Sequence, residues 1–119
     1  MSELLTPNQA ERAEENRLRS HVQQIVHNIE HGFPDELNDD DQPFSAFDYL
    51  QDVLDIEYVV SSKKEYLGAR VLVAFGGPNI WINTRTKQVE GYWWGDKCIM
   101  SYDKDEMDLD GALSELFNC

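Results

Sequence analysis

A chain of 119 residues, 41% hydrophobic and 11% aromatic, has the length of one domain with its own core and is too apolar for global disorder. Its 23 Asp and Glu against 10 Lys and Arg leave a formal net charge of −13. That charge disfavours direct binding to nucleic acid or an anionic membrane and favours a basic partner.

Thr6-Pro7-Asn8-Gln9 reads as a helix start, with Thr6 as cap and Gln9 completing a capping box. The helix is expected to run to about His31, where Gly32 and Pro34 stop it. Leu18, Val22, Ile25 and Ile29 share one face, whereas residues 8–17 are nearly all polar and are expected to project into solvent or touch another chain. Residues 33–44 form an acidic loop bracketed by prolines.

Ser45 opens a second helix with Asp48 near its positive end, and Phe47, Leu50 and Leu54 are its expected buried stripe. Asp48, Asp52 and Asp55 fall at i, i+4 and i+7 of this helix, which is expected to put three carboxylates on a shared face. After Ile56 the period becomes alternating. Strands are expected over residues 58–61, 67–75, 80–83, 89–94 and 98–102, with a last amphipathic helix over about 105–117. Val71, Val73 and Phe75 are expected on one face of the second strand, and Leu109, Ala112, Leu113, Leu116 and Phe117 on the inner face of the last helix. The expected class is α+β: an antiparallel meander of four or five strands, with N-terminal helices and a C-terminal helix packed mainly on one face.

Chemistry is sparse. Glu106 to Gly111 opens like a calcium loop, but its twelfth position is Phe117 where a bidentate Glu is needed, so an acidic helix start is the better account. His27 and His31 share a helix face without a third ligand. Gly76-Gly77-Pro78-Asn79 lacks the following helix and the basic residue of a phosphate loop. Cys98 and Cys119 form no CxxC pair or disulfide framework, no secretory signal is visible, and no apolar run spans a bilayer. The expectation is a cytoplasmic, non-enzymatic protein of a bacterial host, with no metal and no cofactor.

The informative stretch is residues 20–62: ten carboxylates and no Lys or Arg. Carboxylates spaced along a rigid helix resemble phosphates along a strand, which is how a protein occupies a nucleic-acid-binding cleft. The aromatic run Tyr92-Trp93-Trp94, with Trp81, is expected to fill the core on one side and offer an anchor on the other.

Gly76-Gly77-Pro78-Asn79-Ile80 and Gly91-Tyr92-Trp93-Trp94, preceded by the FDYLQDVLDIEY segment at residues 47–58, resemble small uncharacterised acidic proteins carried by phages, plasmids and other mobile elements. The resemblance carries no catalytic residues. It implies a context in which small acidic proteins block host defence nucleases as anti-CRISPR or anti-restriction inhibitors, some of them as nucleic-acid mimics.

The sequence therefore leads to an acidic inhibitor or mimic of a basic nucleic-acid-binding host protein, such as a CRISPR or restriction effector. Its expected contact residues are Asp35, Glu36, Asp39, Asp40, Asp41, Asp48, Asp52, Asp55, Glu57 and Trp93. Two alternatives stay open: an immunity or antitoxin protein that plugs a basic toxin nuclease, and a small scaffold with no mimicry. A homodimer, through the first helix or the aromatic sheet face, is also compatible with the sequence.

Overall fold

The computed structural model describes residues 7–38 and 42–119. Helix α1 (Pro7–His31) leads through a 3-10 turn at Asp35–Leu37 to the short helix α2 (Ala46–Gln51). Five strands follow, β1 (Asp55–Val60), β2 (Tyr66–Ala74), β3 (Asn79–Asn83), β4 (Gln88–Trp93) and β5 (Asp96–Ser101), and helix α3 (Leu109–Asn118) closes the chain. The strands form one antiparallel sheet in the order β1-β2-β3-β4-β5. This is the predicted α+β meander with its fifth strand formed.

Strand register places Ala69, Val71, Ile80, Ile82 and Val89 on one face, and all five are buried. Helix α1 covers that face over β4 and β5, and α3 covers it over β2. Leu18, Val22, Ile25 and Ile29 are the buried stripe of α1, as their spacing predicts. Burying these four contributes about 6–12 kcal/mol before the entropy of ordering the helix is subtracted. Gly91 sets the depth of the contact, because an added Cβ there would sit 2.7 Å from Val22 Cγ2 and 2.8 Å from Leu18 Cδ1.

The far end of α1 is tied down by hydrogen bonds. Gly32, at φ +86°, stops the helix and donates to the Asn28 carbonyl. The Ile29 carbonyl accepts from the Met107 amide, and the Glu30 carboxylate accepts from the Asp103 amide at 2.7 Å. Helix α3 starts at Leu109, later than the predicted Asp105. Asp108 takes a left-handed φ of 57°, and the Asp105 carboxylate accepts from the Leu109 and Asp110 amides at 2.9 Å each. The calcium-like run is thus a helix-capping turn.

Two parts of the expected core lie elsewhere. Phe75 is 72% exposed, because an irregularity in the β2–β3 register between Leu72 and Ala74 breaks the alternation that would have placed it with Val71. Leu116 is also exposed, while Leu109, Ala112 and Leu113 form the buried stripe of α3.

Candidate protein-binding surface

Helix α2 is locally well specified. Ser45 caps it: the Ser45 hydroxyl accepts from the Asp48 amide, and the Asp48 carboxylate accepts from the Ser45 amide at 2.9 Å and the Ser45 hydroxyl at 3.0 Å. The helix nevertheless ends at Gln51, with Asp52 as its C-cap. Two residues later the Leu54 amide donates to the Leu72 carbonyl at 2.9 Å, and the chain enters the sheet as β1. The β-branched and aromatic run from Ile56 to Val60 favours that strand, and pairing with β2 overrides the helical period.

The expected helical face of three carboxylates is therefore not formed. Asp48 is on α2, Asp52 ends it, and Asp55 is the first residue of β1. Asp48 is half-buried with its carboxylate committed to the cap. Asp52 and Asp55 are exposed, and Asp55 Oδ1 accepts from the Ile56 amide. Phe47 and Leu54, expected in the buried stripe, are exposed; Leu50 is buried as expected, with Ala46 beside it. Asp35 is exposed in the 3-10 turn and Glu36 is the middle residue of that turn. Asp39, Asp40 and Asp41 lie outside the described residues.

Glu57 belongs to the uncovered face of the sheet. Register puts Asp55, Glu57, Arg70, Leu72, Trp81 and Glu90 there together, away from the helices. Arg70 reaches Glu57 at 3.5 Å and Glu90 at 3.2 Å, and its guanidinium lies over the Trp81 ring. Glu90, only 12% exposed at its side chain, also accepts from the Tyr92 hydroxyl at 2.9 Å and from the Asn83 side-chain Nδ2 at 3.3 Å. Burial first, and the bond to Glu90 second, push the Tyr92 phenol above its ordinary pKa.

The aromatic hairpin divides differently from the simple alternation. Tyr92 faces the uncovered side, and Trp93 is half-buried against the core, packed on Gly77 and beside Leu18 and Pro78. Trp93, expected as a contact residue, is thus largely a packing residue at the α1 end of the core. Trp94, not among the expected contact residues, is 82% exposed. Trp94 and Gly95 form the two-residue β4–β5 turn with φ of 51° and 87°, the backbone of a type I′ hairpin. Asn-Gly is the usual pair in this turn, so a Trp-Gly pair between two predicted strands was the available signal. The β2–β3 connection and the start of β1 are at the same end of the sheet, which gathers Leu54, Phe75 and Trp94 as exposed apolar side chains at that end.

His27 and His31 do share a face, with ring centroids 4.5 Å apart. Among the described residues, no group of three or more His, Cys, Asp or Glu is arranged to hold a metal ion, and no helix is long and apolar enough to cross a membrane. No family model, curated protein or solved structure matches the chain.

Proposed function

We propose that this protein is a non-enzymatic inhibitor that binds a basic, nucleic-acid-binding protein and competes with its nucleic acid, with CRISPR and restriction effectors as the leading candidates. The observation that supports this reading is the exposure of Asp35, Asp52, Asp55 and Glu57 within a 43-residue stretch that has no Lys or Arg, in a chain of net charge −13. A surface of that sign speeds encounter with a basic cleft and releases the cleft's counterions on binding. The exposed apolar end, with Trp94 at its tip, supplies the desolvated anchor that charge alone lacks.

Charge carries the proposal. A phosphate-like ladder on one helix contributes nothing to it, because α2 ends at Gln51. Asp55 and Glu57, two residues apart on β1, instead space their charges by about 7 Å, close to two axial phosphate steps of a DNA strand.

The test is affinity capture of host proteins on the immobilised full chain, followed by elution with duplex DNA or with salt. A basic protein retained at low salt and released by both agents is the expected result. No retained protein at low salt, or retention that ignores both DNA and salt, overturns the proposal.

A further inference from the structure

We infer that the free edge of β1 takes up an extended segment of the partner as an added strand, and that this segment alternates basic and apolar side chains. The inference rests on the reading of the chain as an acidic protein-binding module and names the segment that module accepts.

The sheet has two boundaries, β1 and β5, and they are not equivalent. Strand β5 lies beneath α1 and carries Lys97, an exposed basic residue of the kind that guards a strand edge. Among the described residues strand β1 pairs with β2 alone, and β1 has no basic residue. The helices are centred over β2, β4 and β5, so β1 stands at the rim of the covered layer, touched there by the Phe117 ring of α3 at 5.3 Å from Tyr58. Among the described residues no second strand of the sheet lies along its outer side, which leaves that edge as the template for strand addition.

The side chains specify what is added. On the uncovered face β1 presents Asp55 and Glu57; on the helix face it presents Ile56 and Tyr58, with Val60 and α3's Leu116 also exposed. Asp55, Glu57 and Glu90 are three carboxylates on the uncovered face; Arg70 pairs with Glu57 and Glu90, and Lys97 lies at the far β5 edge. Because side chains alternate faces along a strand, a paired segment places every second residue beside Asp55 and Glu57 and the others beside Tyr58. Lys or Arg fits the first set and apolar residues fit the second. The register shift between Val59 and Val60 ends the regular ladder, which confines the pairing to Asp55 through Val59. A second copy is the poorer occupant, since it brings another acid-lined edge and another net charge of −13.

The experiment is an amide-resolved NMR titration of the full chain with a short peptide of alternating lysine and valine. Controls are a peptide of the same composition in blocks, an alternating glutamate–valine peptide, and the lysine–valine peptide N-methylated on one backbone edge. Saturable shifts and slowed amide exchange centred on residues 54–60 are expected for the alternating basic peptide alone. N-methylation abolishes them, and Asp55→Asn/Glu57→Gln weakens binding by roughly fivefold at low salt. Equal binding of the block peptide, insensitivity to N-methylation, or shifts centred elsewhere overturns the inference. Concentration-dependent shifts at residues 54–60 without peptide overturn it in favour of self-association. Partner capture released by DNA, with β1 unprotected, removes this inference and leaves the proposed function standing.

Discussion

The guanidinium of Arg70 lies 4.2 Å from the centre of the Trp81 ring and holds Glu57 on one side and Glu90 on the other. A large aromatic on the uncovered sheet face is thereby shielded by a cation instead of a helix, and Glu90 gains the donors its burial requires. Arg70→Ala removes the cation–π contact and leaves Glu90 with Tyr92 and Asn83 only. The expected loss is about 2 kcal/mol in urea unfolding, and Arg70→Ala with Glu90→Gln shows a coupling of about 1 kcal/mol in a double-mutant cycle. Additive single effects would mean that the two residues do not act together.

Asp48 serves the fold through its cap on α2. Asp48→Asn weakens the reciprocal cap at Ser45 and lowers stability by about 1 kcal/mol. Asp52→Asn and Asp55→Asn leave stability within about 0.5 kcal/mol, and under the proposed function they weaken capture of a basic partner. Thermal unfolding beside salt-dependent binding separates the two roles.

Gly91 is a packing position. Gly91→Ala drives a methyl group into Val22 and Leu18, so α1 must shift on β4. A loss of about 1–3 kcal/mol is expected, with the NMR shifts of α1 most disturbed.

Trp94 holds a backbone conformation that a bulky residue adopts at a cost. Trp94→Asn supplies the residue this turn prefers and raises stability by about 0.5–1 kcal/mol. If Trp94 anchors the partner, the same substitution weakens binding by about 2 kcal/mol or more. A more stable protein that binds less is the signature to look for.

Burial pushes the Tyr49 phenol up to about 12. The folded state therefore holds its proton more tightly than the unfolded chain, where a tyrosine titrates near 10. The contribution to stability is complete below pH 10 and is lost as the pH rises towards 12. Absorbance of tyrosinate is expected to rise late and with unfolding; free titration of all tyrosines at pH 10 in a folded chain would refute this.

Periodicity exposed the parts of the fold that local sequence controls. Leu18, Val22, Ile25 and Ile29 repeat at helical spacing, and all four are buried. The strands of the meander alternate and are joined by short turns, so each pairing was legible from the neighbouring segments. The α2–β1 junction was not, because Asp52, Val53 and Leu54 fit a helix equally well and the decision is made by the distant Leu72 carbonyl. The same junction carries the candidate acids, so Asp48, Asp52 and Asp55 do not share the helical face that their spacing predicts. Trp94 departs from the strand pattern for a related reason: alternation holds within β4 and ends where Trp94 enters the turn.

A sheet in which each strand pairs with the next one along the chain closes only short loops as it forms. Such local topology predicts rapid folding, with the hairpins assembling before α1 docks from the other end of the sequence. Unfolding kinetics would show the reverse: amides of α1 exchange first, while those of the central strand β3 persist until the whole chain opens.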